Sequence, residues 1–110
     1  MTVSVVTVTY NAASTVDQAV RSVLDQQGGF TLDYHIVDGG STDGTLDILE
    51  AHKARITAIT SQPDAGLYDA MNRGVARAKG DIIGILNADD AYADPHVIAD
   101  ILKTFETTGA

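Results

Sequence analysis

Two adjacent acids follow a short apolar segment near the end of the chain, in residues 80–92 (GDIIGILNADDAY). The apolar residues 82–86 are too few for a helix and are mostly β-branched, which predicts a buried strand. This strand ends in Asn87-Ala88-Asp89-Asp90, where two carboxylates repel each other beside a low-dielectric core. A divalent cation that holds a phosphate-bearing ligand would offset this charge, because Mg²⁺ and Mn²⁺ prefer oxygen ligands. The alternative is a strand end followed by an acidic turn without a ligand.

Polar residues also follow each of three earlier predicted strands: Asn11 after Val3–Tyr10, the glycine-rich turn 39–44 after Tyr34–Asp38, and Asp64 after Arg55–Thr60. The first of these strands is almost wholly β-branched, as expected for a strand with both faces covered. Ligands of α/β proteins bind beyond the carboxyl ends of the strands. Four separate segments are therefore expected to bring polar side chains to one rim of the sheet.

Helical patterns connect these strands. Apolar residues at helical spacing predict an amphipathic helix over about 15–27, and Ser14-Thr15-Val16-Asp17 has the form of a capping box. Similar patterns predict helices near 46–52, 67–78 and 97–105, with Thr42 or Asp43 and later Asp94 as caps. The alternation of strands and helices predicts an α/β fold, with a mostly parallel, Rossmann-like sheet and helices on both faces.

Composition narrows the function classes. A chain of 110 residues is expected to form one domain, and its formal net charge of −8 argues against nucleic acid as a partner. There is no cysteine, no stretch long enough to span a bilayer and no basic start of a signal peptide. We therefore expect the protein in the cytoplasm, either free or at the inner face of the membrane.

Four motifs occur in order along the chain: VSVVTVTYN, IVDGGSTDGT, QPDAGLYDAMNRGVARAKGD and ILNADD. Together they resemble the family 2 glycosyltransferases, which have the GT-A fold, and the resemblance extends from about Val3 to Phe105. It implies that a nucleoside diphosphate sugar is the donor, that Mg²⁺ or Mn²⁺ is the cofactor, and that the sugar is transferred with inversion. The acceptor would be a hydroxyl group of a saccharide or of a lipid-linked molecule.

The resemblance also implies roles for single residues. The first segment would lie against the nucleoside, Asp38 would help to hold the base, and the acid-tipped strand would hold the ribose and the metal-bridged diphosphate. The implied nucleotide-binding residues are Thr9, Tyr10, Asn11, Asp38, Asp64, Arg73, Asn87 and Asp89, and the implied metal ligands are Asp89 and Asp90.

Several of these residues have a structural alternative. Tyr10 suits a core position as well as a stacking position, and Arg73 suits a solvated helix face. Asp38 suits a simple turn before Gly39-Gly40, and Asp64 suits a plain turn after Pro63. Asp43 is better explained as a helix cap than as a ligand. The three histidines are scattered without metal-ligand spacing, and we interpret them as structural or exposed.

The chain departs from the family pattern in two positions and in length. Gly39 replaces a second aspartate that many relatives carry after the second strand, which leaves the nucleobase open, and Asn87 replaces the aspartate that commonly begins the metal motif. Family domains continue well past this length, with the acceptor site and the general base in their second half. We therefore expect residues 1–110 to be the donor-binding part, truncated before the acceptor half, with an apolar cut edge that favours a homo-oligomer.

Three functions of other classes are alternatives to a glycosyltransferase. The main alternative is a catalytically inactive nucleotide-binding or assembly module, whose acids are vestigial. A phosphate-accepting signalling domain would need a lysine at a late strand end, whereas Lys79 and Lys103 fall at or within predicted helices. A dinucleotide oxidoreductase is disfavoured because no Gly-x-Gly-x-x-Gly follows the first strand.

Overall fold

The computed structural model describes residues 2–63, 72, 74–76, 80, 82–88, 91–92 and 95–108, the last five of them without their side chains. Its elements are β1 (Thr2–Thr9), α1 (Val16–Leu24), β2 (Thr31–Asp38), α2 (Thr45–Glu50), a 3₁₀ turn (Lys53–Arg55), β3 (Ala58–Ser61), β4 (Ile82–Asn87) and α3 (Val97–Thr108). Residues 72 and 74–76 are also helical. In the described part of the chain, no helix is both long and apolar enough to cross a membrane.

The four strands form one parallel sheet in the order β3-β2-β1-β4. The first strand is central because both of its edges are paired: Val3 lies opposite Leu32 on one side and Ile82 on the other. Residues 3–9 are all buried, as their continuous β-branched sequence predicts. The predicted α/β fold with a parallel sheet is confirmed.

Helices cover both faces of this sheet. On one face Val5, Tyr34 and Ile36 form the main core with apolar residues of α1, α2 and α3. On the other face Val6, Val8 and Val37 form a smaller cluster. Gly74 is helical and approaches Val6 so closely that a Cβ atom at this position would collide with its side chain. The glycine is therefore required for the close contact between this helical segment and the sheet.

Two local predictions are wrong. The capping box at the start of α1 does not form: Thr15 is the N-cap residue but makes no side-chain capping bond. Asp17 instead accepts from Arg21 at 2.9 Å and pairs with His52 at 2.8 Å, which connects α1 to the segment after α2. The third strand begins at Ala58 rather than Arg55, because residues 53–55 continue in a 3₁₀ turn.

Other boundaries differ by a few residues. The second strand begins at Thr31, three residues before the predicted start, and its first residues are less buried than its last five. The last helix begins at Val97. The predicted cap Asp94 and most of the predicted helix 67–78 lie outside the described residues.

The fourth strand is at the edge of the sheet. Among the described residues it pairs only with β1. Ile83 and Ile85 are 42% and 45% exposed on the face that carries Val6 and Val8. An apolar edge of this kind was the basis for expecting a homo-oligomer, which stays a prediction.

Candidate functional site

The carboxyl ends of three strands meet at one edge of the sheet. Thr9 at the end of β1 pairs with Asp38 at the end of β2, and Val8 pairs with Asn87 at the end of β4. The pairing continues one residue further on both sides of β1, through hydrogen bonds from the backbone N–H of Gly39 and Ala88. The structure therefore brings the predicted site residues Thr9, Asp38 and Asn87 to a common carboxyl edge.

The remaining predicted residues divide into two groups. Tyr10 and Asn11 follow β1 at the same edge and are described. Asp64, Arg73, Asp89 and Asp90 lie outside the described residues.

Asp38 is fully buried and accepts five hydrogen bonds. Its Oδ1 accepts from the hydroxyls of Thr9 and Ser41, both at 2.6 Å. Its Oδ2 accepts from the backbone N–H of Gly40 and Ser41, at 3.0 and 2.8 Å, and from the hydroxyl of Ser61 at 2.9 Å. One carboxylate thus joins the ends of β1, β2 and β3 and the turn after β2.

These bonds decide the charge of Asp38. Burial alone would raise its pKa, but the hydrogen bonds from Ser41, Thr9 and Ser61 outweigh burial and hold the pKa below its usual value. The carboxylate is therefore ionised at neutral pH. Its negative charge is satisfied by donors of the protein itself.

Two loops lie side by side at the carboxyl edge. We call residues 10–15, between β1 and α1, the first loop, and residues 39–44, between β2 and α2, the second loop. Four hydrogen bonds join the first loop to the second loop and the start of α2: Asn11 N–H to Ser41 Oγ (2.8 Å), Thr42 N–H to Asn11 Oδ1 (2.8 Å), Ala12 N–H to Thr45 Oγ1 (2.9 Å) and Ala13 N–H to Asp43 Oδ2 (3.2 Å). All four pair a backbone N–H with a side-chain oxygen.

Tyr10 is the large apolar residue of the first loop that projects into solvent, with 65% of its surface exposed. This exposure excludes the core alternative for Tyr10. An aromatic ring held at a strand end with its surface open is suited to stacking on another planar group.

Asp43 has a structural role, as its position before a helix suggested. Its carboxylate accepts from the backbone N–H of Thr45 at 3.1 Å and from the Thr45 hydroxyl. The hydrogen bond from the Thr45 hydroxyl is the main cause that lowers the pKa of Asp43. However, Gly44 occupies the N-cap position of α2, so the prediction that Thr42 or Asp43 would occupy it is wrong.

Asn87 ends β4 with a side-chain oxygen that no described residue bonds. Its Oδ1 is buried and has no hydrogen-bond partner within the described part of the chain. A buried acceptor without a partner is unusual and indicates an unfilled interaction. The described residues contain no group of three or more histidine, cysteine, aspartate or glutamate side chains that could hold a metal ion, and Asp89 and Asp90 are not among them.

Sequence reasoning missed three hydroxyl residues at this edge: Ser41, Thr45 and Ser61. Their partners lie up to 33 residues away in sequence, so their role depends on the folded sheet. The available signal was the composition of the second loop, because serine and threonine in turns commonly bond to nearby backbone groups.

A cavity of about 620 Å³ lies away from these residues, between the end of α1, the 3₁₀ turn and the segment after β4. It is lined by Ser22, Leu24, Asp25, Gln26, Gln27, Arg55, Tyr92 and Pro95. None of the predicted site residues that the structure describes lines it. The convergence of bonded loops and strand ends, rather than this cavity, therefore defines the candidate site.

Comparison with known proteins identifies the family of the chain. Residues 4–110 match the model of the glycosyl transferase family 2, and the chain belongs to this family. It is 33% identical over 108 residues to the uncharacterized glycosyltransferase Rv1514c of Mycobacterium tuberculosis (strain ATCC 25618 / H37Rv), an alignment that covers 98% of this chain and 41% of the relative. The family resemblance read from the motifs is confirmed.

Solved structures give the same fold. The 1–349 fragment of S. aureus TarS in complex with UDP-GlcNAc aligns with a TM-score of 0.86 at 22% identity, over 97% of this chain and 32% of that one. The mannosyltransferase PcManGT from Pyrobaculum calidifontis, in complex with GDP-Man and Mn²⁺, aligns with a TM-score of 0.84 at 26% identity, over 94% and 32%. The predicted Rossmann-like GT-A fold is confirmed, and the chain spans 41% or less of each of these proteins.

Proposed function

We propose that this chain binds the nucleoside diphosphate sugar donor of a glycosyltransferase, together with Mg²⁺ or Mn²⁺, at the carboxyl edge. The full protein would transfer the sugar with inversion to a hydroxyl of a saccharide or lipid-linked acceptor. The observation that carries the proposal is the pair of loops bonded to each other beside the exposed ring of Tyr10. Family membership and the two solved complexes, with UDP-GlcNAc and with GDP-Man and Mn²⁺, support it.

At the nucleoside end, Tyr10 would stack on the base. Thr9 and Asp38 belong to this part of the site because their mutual hydrogen bond holds the strand ends from which Tyr10 projects. Both oxygens of Asp38 already accept two or more hydrogen bonds, so a base that contacts this carboxylate would have to share an occupied oxygen. Because position 39 is a glycine and not a second aspartate, groups other than this residue would select the base.

At the diphosphate end, Asn87, Asp89 and Asp90 would hold the cation and the ribose, with Asp64 and Arg73 beside the diphosphate. The buried, unpartnered Oδ1 of Asn87 fits this role, because an amide oxygen can bond a ribose hydroxyl or a metal-bound water. When bound, the cation would neutralise the charge of the departing diphosphate. The general base and the acceptor site are expected in the remainder of the full protein, and the cytoplasmic location also stays a prediction.

Calorimetric titration with UDP, GDP and TDP, each with and without Mn²⁺, tests the proposal. We expect heat with at least one nucleotide, and only when Mn²⁺ is present. Asp89→Asn should lose this Mn²⁺-dependent binding. Tyr10→Ala should weaken binding by about 5- to 100-fold, which corresponds to the loss of one base–aromatic stack, whereas Tyr10→Phe keeps the ring and should bind like the wild type. Absence of heat with all three nucleotides would refute donor binding and favour the inactive assembly module.

A further inference from the structure

The residues on either side of Tyr10 are both anchored to the second loop. We propose that Asn11 is a positioning residue, which locks the first loop to the second loop and fixes Tyr10 for the nucleotide without contacting the nucleotide itself. This inference rests on the proposed function and gives Asn11 a different role from the direct contact that the family resemblance implies.

The backbone of Asn11 has an unusual conformation. Its φ of 47° makes it the one described non-glycine residue with a left-handed backbone. Asparagine tolerates this region better than most residues, because its short side chain can bond locally. The bend turns the chain directly after β1, so that Tyr10 projects outward while Asn11, which is also exposed, reaches the second loop with its backbone N–H and its side-chain oxygen.

Both ends of Asn11 are used by that loop. Its backbone N–H donates to Ser41 Oγ at 2.8 Å, and its side-chain Oδ1 accepts from the Thr42 N–H at 2.8 Å. The side-chain oxygen that could have accepted a hydrogen bond from a ligand is therefore already bonded within the protein.

These hydrogen bonds and the backbone of residues 9–11 form a closed ring that includes Tyr10. Ser41 Oγ accepts from Asn11 and donates to Asp38 Oδ1, and Asp38 Oδ1 also accepts from the hydroxyl of Thr9. Thr9 and Asn11, the two neighbours of Tyr10 in the chain, are thus joined through Ser41 and Asp38. A tyrosine held at both neighbours loses little further freedom when a ligand binds, which is how preorganisation strengthens binding.

A second hydrogen bond, or bridge, between the first loop and the start of α2 is shielded from solvent. Ala12 N–H donates to Thr45 Oγ1 at 2.9 Å, and Thr45 is fully buried. A side chain without exposed surface cannot touch a nucleotide. Thr45 therefore separates a role in loop position from a role in ligand contact.

Three variants test the proposal by titration with UDP and GDP in Mn²⁺. Asn11→Gly keeps the left-handed backbone but loses the side-chain acceptor, and Asn11→Ala loses the acceptor and disfavours that backbone. Thr45→Val removes the buried hydrogen bond from Ala12 N–H and also the bond from the Thr45 hydroxyl to Asp43, and it changes no side chain that a nucleotide can reach. If the loops are correctly placed in about a tenth to a fifth of the molecules once a bridge is lost, Asn11→Ala and Thr45→Val should each raise Kd by about 5- to 10-fold. Asn11→Gly should raise Kd by an amount that does not exceed that of Asn11→Ala.

Gln26 offers a matched control. Its side-chain oxygen also accepts a backbone N–H, that of Ile98 at 2.9 Å, but it joins the end of α1 to α3. Gln26→Ala should lower the melting temperature and leave Kd within about twofold of the wild type, since single hydrogen bonds of this kind contribute about 1 kcal/mol to folding. Amide hydrogen exchange without nucleotide should speed up at Thr42 and Ala13 in Asn11→Ala but not in Gln26→Ala.

The outcomes are distinct. If Asn11→Ala weakens binding while Thr45→Val does not, Asn11 contacts the nucleotide directly and the positioning role is wrong. Unchanged exchange at Thr42 in both Asn11 variants would show that the loops do not depend on this residue. If the wild type binds neither nucleotide, the proposed function fails and the positioning role fails with it, whereas exchange would still report whether the loops are joined.

Discussion

Replacing Asp38 with alanine would remove the acceptor of five hydrogen bonds from a buried position. The hydroxyls of Thr9, Ser41 and Ser61 can rotate toward other acceptors, but the backbone N–H groups of Gly40 and Ser41 cannot. A fully buried donor left without a partner costs about 1–3 kcal/mol, and Gly40 and Ser41 are half-buried, so these two predict a combined loss of about 2–4 kcal/mol. This is a large share of the stability of a domain of this size, which is about 5–15 kcal/mol.

Asp38→Asn serves as the graded comparison. Its amide oxygen can face the two backbone N–H groups while its NH₂ group donates to the hydroxyls of Thr9 and Ser41, which can turn to accept. The geometry is kept and only the charge-assisted part of the bonds is lost, which predicts a cost of about 1–2 kcal/mol. Urea unfolding at about pH 7 measures both values, with Asp25→Ala at an exposed side chain as the control.

The pH dependence follows from the lowered pKa of Asp38. A carboxyl whose pKa is lower in the folded than in the unfolded state contributes stability that is fully present above the unfolded value, about 3.9, and is lost as the pH falls through the folded value. The advantage of wild type over Asp38→Asn should therefore shrink below about pH 4. Equal costs for Asp38→Asn and Asp38→Ala, or an advantage that persists at low pH, would refute this account of the carboxylate.

Three further outcomes are expected. Gly80→Ala should lower the free energy of unfolding in urea by about 1–3 kcal/mol, because a Cβ at this position would lie 2.6 Å from the backbone of β1. Gly29→Ala is the control: it has open space and should stay within about 0.5 kcal/mol of wild type. Equal effects of the two variants would contradict the close contact at Gly80. The hydrogen bond from His52 is the main cause that lowers the pKa of Asp17. Asp17→Asn should therefore lower the melting temperature at about pH 7 but much less below about pH 3, where the carboxylate of the wild type is protonated. If the difference in melting temperature were the same at both pH values, the Asp17–His52 pair would not stabilise the fold. Asn87→Ala should leave the free energy of unfolding within about 0.5 kcal/mol of wild type, because its buried oxygen has no described partner. The same variant should weaken nucleotide binding in the calorimetric titration. A marked loss of stability would mean that this oxygen is bonded within the fold.

The sequence predicted the fold well where the signal is local. The β-branched run of β1 and the apolar run of β4 gave strand positions within a residue or two, and the alternation of elements gave a parallel sheet. It could not predict that β4 lies at the edge, because strand order depends on pairing between distant segments. The capping box failed because Asp17 finds partners in Arg21 and His52, and His52 reaches it only in the folded chain.

For the described part of the site, the sequence predicted that Thr9, Asp38 and Asn87 lie at one carboxyl edge, but it did not predict the hydrogen bonds made there. Asp38 was expected either to hold a base or to be a simple turn acid. Its carboxylate accepts hydrogen bonds from the turn and from two other strands, and a contact with a base stays a prediction. Tyr10 had two interpretations, and exposure decided between them. The bonds of Asn11 to Ser41 and Thr42 span about 30 residues, and no pattern within a single loop reveals them.

The pairing of β1 with β4 also affects how the protein is made. Val3 is synthesised well before Ile82, which is one of its two strand partners. Until the later strand emerges, the first strand has an open edge and a row of β-branched side chains that resemble an aggregation-prone segment. Contacts so distant along the chain form slowly, so this edge of the first strand stays open for longer than the edge that pairs with β2.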